Sequence, residues 1–141
     1  MSYCTIENIE NLINETILIQ LTDDAGVDAV DETLVNAAIT AADATIDTYC
    51  QKYWPVPLSP VPAKITELSV DIAVYNLYSR CDLALPEIRK ERHEAAIRFL
   101  EKVAAGSIDL GVSTPSPADT NNSVEFESNT RQFNRSKMRG F

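Results

Sequence analysis

Apolar side chains recur every three or four residues over three long stretches of the chain, and this spacing predicts three amphipathic helices. The predicted helices cover residues 32–54, 63–81 and 86–105. Asp31 precedes the first of them, and its side chain is suited to cap a helix N-terminus. Gly106 follows the third, where glycine readily adopts the left-handed conformation that ends a helix. Residues 1–112 are therefore predicted to form a mainly α, small helical bundle.

The three helices differ in how much of their surface is apolar. The first has one apolar stripe, and its opposite face includes Asn36, Asp43, Asp47 and Gln51. The middle helix is apolar nearly all round, which is typical of a central, buried helix, and Leu68 and Ile72 are predicted core residues within it. The predicted inner face of the third helix comprises Ile88, Ala95, Phe99, Leu100 and Val103. Its other face mixes acidic and basic residues, which is typical of a solvated surface, although a subunit contact through salt bridges is an alternative.

Two shorter elements and an acidic loop precede these helices. Thr5 can cap a first helix that runs to about Asn14, and a second is predicted over residues 15–21. The loop at residues 22–28 contains three aspartates, but their spacing does not fit the calcium-binding loop pattern. We interpret it as a solvated loop whose aspartates support turns, with an ion site as the minor alternative.

A proline-rich elbow joins the first and second long helices. The segment from Trp54 to Pro62 contains four prolines, among them Pro55 and Pro57. Proline lacks the backbone N–H and disfavours helix in the residue before it, so neither helix can continue through this segment. The elbow is therefore predicted to be stiff and extended, close to polyproline II, with Trp54, Pro55, Pro57 and Pro62 as structural residues.

Beyond residue 112 the composition changes, and we divide the chain there. Residues 1–112 form the predicted helical domain, and residues 113–141 a linker followed by an extended C-terminal docking arm. Residues 113–123 contain almost nothing to bury. The last stretch, residues 131–141, interleaves cations with large apolar side chains: Arg131, Phe133, Arg135, Lys137, Met138, Arg139 and Phe141. We call residues 131–141 the docking segment, because such residues can anchor to an acidic partner; a free, disordered tail is the alternative.

Charge and composition exclude several classes of function. The net charge of −9 argues against a protein that coats DNA. The three cysteines are widely spaced and form neither a disulfide framework nor a zinc signature, which indicates a reducing compartment. The sequence contains a single histidine, His93, and no nucleophile or phosphate-binding motif. We therefore predict no catalytic residue, metal, cofactor or membrane span.

Short segments spread along the chain resemble those of the phage Mu-type head–tail connector family. They are Leu18-Ile19-Gln20-Leu21-Thr22-Asp23, Ile46-Asp47-Thr48-Tyr49, Tyr53-Trp54-Pro55-Val56-Pro57-Leu58, Asp71-Ile72-Ala73, Ala96-Ile97-Arg98-Phe99-Leu100, Arg131-Gln132-Phe133-Asn134-Arg135 and Met138-Arg139-Gly140-Phe141. The resemblance implies a helical adaptor made in the bacterial host cytoplasm and located in the virion neck. It also implies a homo-oligomeric ring, commonly of twelve copies, between the portal protein and the next neck or tail protein, with genomic DNA passing through it.

A second hypothesis places the function in the C-terminal tail alone. Aromatic residues interleaved with arginines can stack on bases and contact phosphates. A small adaptor or regulatory domain whose basic tail binds nucleic acid is therefore the alternative to a neck protein.

Overall fold

The structure is a computed structural model that describes residues 1–112, and these form a bundle of five helices with no strand among them. The helices are α1 (Ile6–Glu10), α2 (Glu15–Thr22), α3 (Glu32–Cys50), α4 (Ala63–Arg80) and α5 (Glu87–Ala104). This confirms the mainly α prediction. None of these helices is long and apolar enough to cross a membrane. The predicted linker and docking arm lie outside the described residues.

Helix α4 is the centre of the bundle and contacts each of the other four helices. It packs most extensively on α3 and α5, and the short α1 and α2 make smaller contacts with it. Ten of its eighteen residues are buried, and they lie on every side of the helix. Leu68 and Ile72 are among them, as predicted. The apolar pattern on nearly all sides of this helix therefore correctly indicated its central position.

The start of α3 and the end of α5 follow the predicted capping chemistry. The Asp31 carboxylate accepts hydrogen bonds from the amides of Thr33 and Leu34 at the start of α3. At the end of α5, Gly106 has φ +76° and its amide donates to the Val103 carbonyl, while the next amide, Ser107, donates to the carbonyl of Lys102. This pair of bonds is a Schellman motif, which satisfies carbonyls that the helix leaves open.

Two predicted helices end earlier in the structure than the apolar spacing indicated. α1 stops at Glu10 rather than near Asn14, whose side chain instead caps α2. α3 stops at Cys50 rather than at Tyr53-Trp54, and a turn follows in which the amides of both those residues donate to the Cys50 carbonyl. Pro55 disfavours helix at the residue before it, so the chain leaves the helix in a turn ahead of the proline.

The elbow differs from the extended rod that its prolines predicted. The chain bends at residues 56–57 and again at 59–60, and the Val56–Pro57 and Ser59–Pro60 peptide bonds are cis. Between the bends, Leu58 is completely buried in the core. An apolar side chain within the proline run thus turns inward, and its burial favours a folded elbow over a straight one.

The N-terminal residues form part of the core, which the sequence pattern did not indicate. Tyr3 is only 3% exposed and packs on α3. Asp43 accepts hydrogen bonds from the Tyr3 amide at 3.2 Å and from the Ser69 hydroxyl at 2.9 Å, while Asp47 accepts one from the Tyr3 hydroxyl. The prediction that Asp43 and Asp47 lie on an outer face of α3 is therefore wrong, since both are half-buried beneath the N-terminus.

Tyr3→Phe is expected to lower the free energy of unfolding by about 1–3 kcal/mol. The Tyr3 hydroxyl also accepts a hydrogen bond from the buried Leu58 amide at 2.9 Å, so its removal leaves that amide unpaired. Burial, together with the Asp47 carboxylate, raises the pKa of Tyr3, so the hydroxyl stays protonated and keeps donating. Urea unfolding measures the change, with Tyr53→Phe as control because that ring is 40% exposed. Equal midpoints for the wild type and Tyr3→Phe would contradict this assignment.

Candidate interaction surface

The apolar face that α5 turns to the core is rotated from the predicted one. Ala96, Leu100 and Val103 are buried. This confirms the prediction that Leu100 and Val103 face the core. Ile88 is 57% exposed and Ala95 is also exposed, so the prediction that they face the core is wrong. Because Ala96, Leu100 and Val103 are spaced at four and three residues, they form one fully buried stripe, and the partly buried Ile97 and Phe99 pack against the core beside it.

An open groove lies between α4 and α5, beside that stripe. The groove has a volume of about 460 Å³. Its walls are Lys64, Glu67, Leu68 and Asp71 from α4, and Ile88, Arg92, Ala95, Ala96 and Phe99 from α5. We call this the α4/α5 groove. It combines an apolar floor with charged residues at the rim, which is the usual composition of a protein–protein contact.

A buried ion pair forms one side of the groove. Arg92 Nε lies 2.8 Å from Asp71 Oδ1, and the Asp71 side chain is only 7% exposed. A buried carboxylate is costly unless it is paired, and Arg92 supplies that pairing from α5. Arg89, on the same helix, donates to the Leu12 carbonyl at 3.2 Å. The charged mosaic of α5 is therefore only partly the solvated face that its sequence predicted.

The rim of the groove near Phe99 is formed by an exposed and weaker ion pair. Lys64 Nζ lies 2.9 Å from Glu67 Oε2 and 5.9 Å from the centre of the Phe99 ring. Both charged side chains are about half exposed. Exposed pairs of this kind contribute about 1 kcal/mol or less, so a partner can displace Lys64 at small cost.

The acidic loop uses its carboxylates on its own backbone and on a neighbouring helix. Asp23 accepts hydrogen bonds from the amides of Val27 and Asp28, and these bonds lower the pKa of Asp23. Asp24 forms a two-bond ion pair with Arg80 at 2.8 Å. Within residues 1–112, no group of three or more His, Cys, Asp or Glu side chains is placed to bind a metal ion. These contacts support the interpretation of residues 22–28 as a turn-forming loop.

The histidine and the cysteines have structural surroundings. His93 stacks on Tyr75 with ring centres 3.8 Å apart and is half-buried rather than fully at the surface; burial lowers the pKa of its imidazole. Cys4 and Cys50 are buried, and burial raises the pKa of the Cys50 thiol to about 11. The Cys81 thiol donates to the Leu21 carbonyl at 3.0 Å. A thiol held protonated by burial is a poor nucleophile and a poor metal ligand.

The residues singled out from the sequence are distributed over both parts of the chain. Trp54 is buried and Phe99 is half-buried, while Pro55 and Pro57 are exposed and Pro62 is the N-cap residue of α4. Seven predicted partner-binding residues lie outside the described residues: Arg131, Phe133, Arg135, Lys137, Met138, Arg139 and Phe141. Sequence reasoning missed the α4/α5 groove. The signal for it is that α5 has more apolar positions than one face of a helix can bury.

Comparison with known proteins gives two consistent matches. The family model described as "Bacteriophage Mu, Gp36" matches residues 3–128, which include nearly all of the helical domain. The chain is also 35% identical over 114 residues to the "Mu-like prophage FluMu protein gp36" of Haemophilus influenzae, covering 80% of this chain and 79% of that protein. The chain therefore belongs to the bacteriophage Mu Gp36 family.

Proposed function

We propose that this protein is a structural head–tail connector of a Mu-like phage, located in the neck of the virion. The observation that carries the proposal is the family match over residues 3–128, which supports a role in the structure or morphogenesis of the phage particle. The architecture is consistent with that role. The helical domain is held together by a continuous core and presents an apolar groove at its surface, as an assembly subunit would.

In the proposed assembly, copies of the chain form a closed ring beneath the portal protein and above the next neck or tail protein. The resemblance to connector proteins favours twelve copies. A ring of identical subunits needs two different, complementary surfaces on each copy, because every contact is head to tail. A groove on one copy and a segment that fills it from the next copy meet this requirement.

The charge of the helical domain suits a channel through which DNA passes. Residues 1–112 carry 18 acidic and 8 basic side chains, a net charge of −10. A wall of negative charge repels the phosphate backbone, so DNA can slide through without being retained or read in sequence. The basic side chains of residues 113–141 are proposed to face a protein partner instead of the genome.

Complementation in vitro tests the neck assignment. A phage with this gene deleted is expected to accumulate DNA-filled heads and separate tails. Adding the purified full-length protein to that lysate is expected to restore infectious particles, measured as plaques. The control is the same lysate with an unrelated acidic helical protein of similar size. A normal titre from the deletion phage, or heads that fail before DNA filling, would contradict the connector role.

A further inference from the structure

We propose that the α4/α5 groove of one copy binds the docking segment, residues 131–141, of the adjacent copy. This inference rests on the proposed function in one respect, namely that copies of the chain assemble with each other. It adds the surface that joins them and the residues that fill it.

The shape and polarity of the groove fit large apolar anchors. Ile88 and Ala95 are exposed on its α5 side, and the half-buried ring of Phe99 and the buried Leu68 form its floor. The docking segment contains Phe133, Met138 and Phe141. Aromatic side chains seated in such pockets commonly supply most of the binding energy of an interface. A volume of about 460 Å³ is sufficient for more than one of these side chains.

Charge favours the docking segment as the occupant. Residues 129–141 carry four cations and no acid, while the helical domain has a net charge of −10. At the groove, Glu67 pairs with the exposed Lys64, 2.9 Å away, and with no other cation of residues 1–112. Glu91 lies one helical turn from both Ile88 and Ala95 and is also exposed. An incoming arginine can replace Lys64 at Glu67 with a bidentate contact, which a lysine cannot form.

The chain between the helical domain and the docking segment is long enough for this exchange. Eighteen residues, 113–130, separate Val112 from Arg131. A chain of that length can span up to about 60 Å. A domain of about 100 residues has a radius of gyration near 13 Å, so the groove of an adjacent copy is within reach. Exchange of this segment around a ring gives each copy one groove and one occupant.

Self-association of the full-length protein tests whether the groove is the contact. Ile88→Asp places a charge on an exposed groove residue in the first turn of α5, where aspartate is compatible with the helix. We expect association to weaken about tenfold or more, since an apolar contact is replaced by a charged one. Sedimentation velocity over a concentration series measures it. Val27→Asp is the matched control, because Val27 is 69% exposed in the acidic loop, away from the groove.

Three results of that experiment would overturn the proposal. The first is a wild-type protein that stays monomeric at hundreds of micromolar. The second is Ile88→Asp that associates as well as the wild type. The third is equal weakening by Val27→Asp, which would show that any added surface charge is sufficient.

Crosslinking identifies the occupant and the copy that it comes from. A photoreactive phenylalanine analogue replaces Phe133 in full-length protein, and equal amounts of ¹⁴N- and ¹⁵N-labelled copies are mixed before irradiation. We expect crosslinked peptides from residues 63–104 that pair the two isotopes. Crosslinks within single copies only, crosslinks elsewhere, or none would overturn the proposal. Mixed crosslinks together with failed complementation would instead reject the neck role while leaving this contact in place.

Discussion

Ile72→Asp is expected to abolish the folded state of the helical domain. Ile72 is 2% exposed on the central helix α4. An unpaired carboxylate at that depth costs several kcal/mol, and the lost apolar contacts add to the cost. The total stability of a domain is of order 5–15 kcal/mol, so this single change is comparable with all of it. Circular dichroism during heating measures the result as the loss of a cooperative transition.

Two variants separate this effect from a general effect of charge on α4. Ala63→Asp adds the same carboxylate to the exposed first turn of α4, where the helix dipole favours it, so we expect stability close to wild type. Ile72→Val keeps the site apolar and is expected to cost about 0.5–1.5 kcal/mol. A cooperative melting transition near the wild-type temperature for Ile72→Asp would show that α4 is not the centre of the core.

Asp71, the residue before Ile72, shows why the effect depends on pairing and not on charge alone. Its carboxylate is buried in the native protein, yet Arg92 of α5 pairs with it at 2.8 Å. Ile72 belongs to the buried hydrophobic cluster, so a carboxylate introduced there would lie among apolar side chains. The sequence identifies Ile72 as a core residue from its spacing within α4. The sequence does not reveal that Asp71 is buried and paired, because its partner Arg92 lies 21 positions further along the chain.

Features that depend on nearby residues in the sequence could be predicted, and features that depend on distant contacts could not. The burial of α4, the Asp31 cap and the Gly106 cap are local consequences of spacing or of one residue's preference, and each was predicted. The buried position of Tyr3 could not be predicted, because the short N-terminal segment has no apolar periodicity. The hydrogen-bond partners of Tyr3, Asp43 and Asp47, also resemble solvent-facing residues in sequence. Contacts distant in sequence decide such positions.

The elbow and α5 were mispredicted for a related reason. Proline chemistry correctly separated α3 from α4, but the burial of Leu58 decided the path of the elbow between them. On α5, apolar spacing fits two overlapping stripes, and only packing against α3 and α4 selects Ala96, Leu100 and Val103 over Ile88 and Ala95. The groove is the consequence of that selection. The surplus of apolar positions on α5 signals that some apolar surface stays uncovered, but it does not identify which residues line the groove.

Deleting Thr130 to Phe141 is expected to leave the helical domain folded and to abolish function. Residues 1–112 contain a continuous buried core of their own, so we expect the truncated protein to keep its helical circular dichroism and its melting temperature. In the complementation assay, it should restore no more infectious particles than buffer. It should also lose self-association, since the segment that fills the neighbouring groove is absent.

Two substitution variants show how much of the lost self-association is due to the apolar side chains of the docking segment and how much to its cations. One replaces Phe133, Met138 and Phe141 with alanine, and the other replaces the four cations with glutamine. If the segment seats anchors in an apolar groove, the alanine variant should behave like the deletion at all salt concentrations. The glutamine variant should associate more weakly than the wild type, and its association should depend less on salt, because screened charge contacts are what it has lost.

The same variants test whether the tail binds nucleic acid instead. In that case the full-length protein would shift a labelled oligonucleotide in a salt-dependent manner, and the glutamine variant would lose the shift while self-association stayed unchanged. Normal incorporation of the truncated protein into infectious particles would refute the docking role itself. Loss of particles with unchanged self-association would assign the segment to another neck component rather than to the adjacent copy.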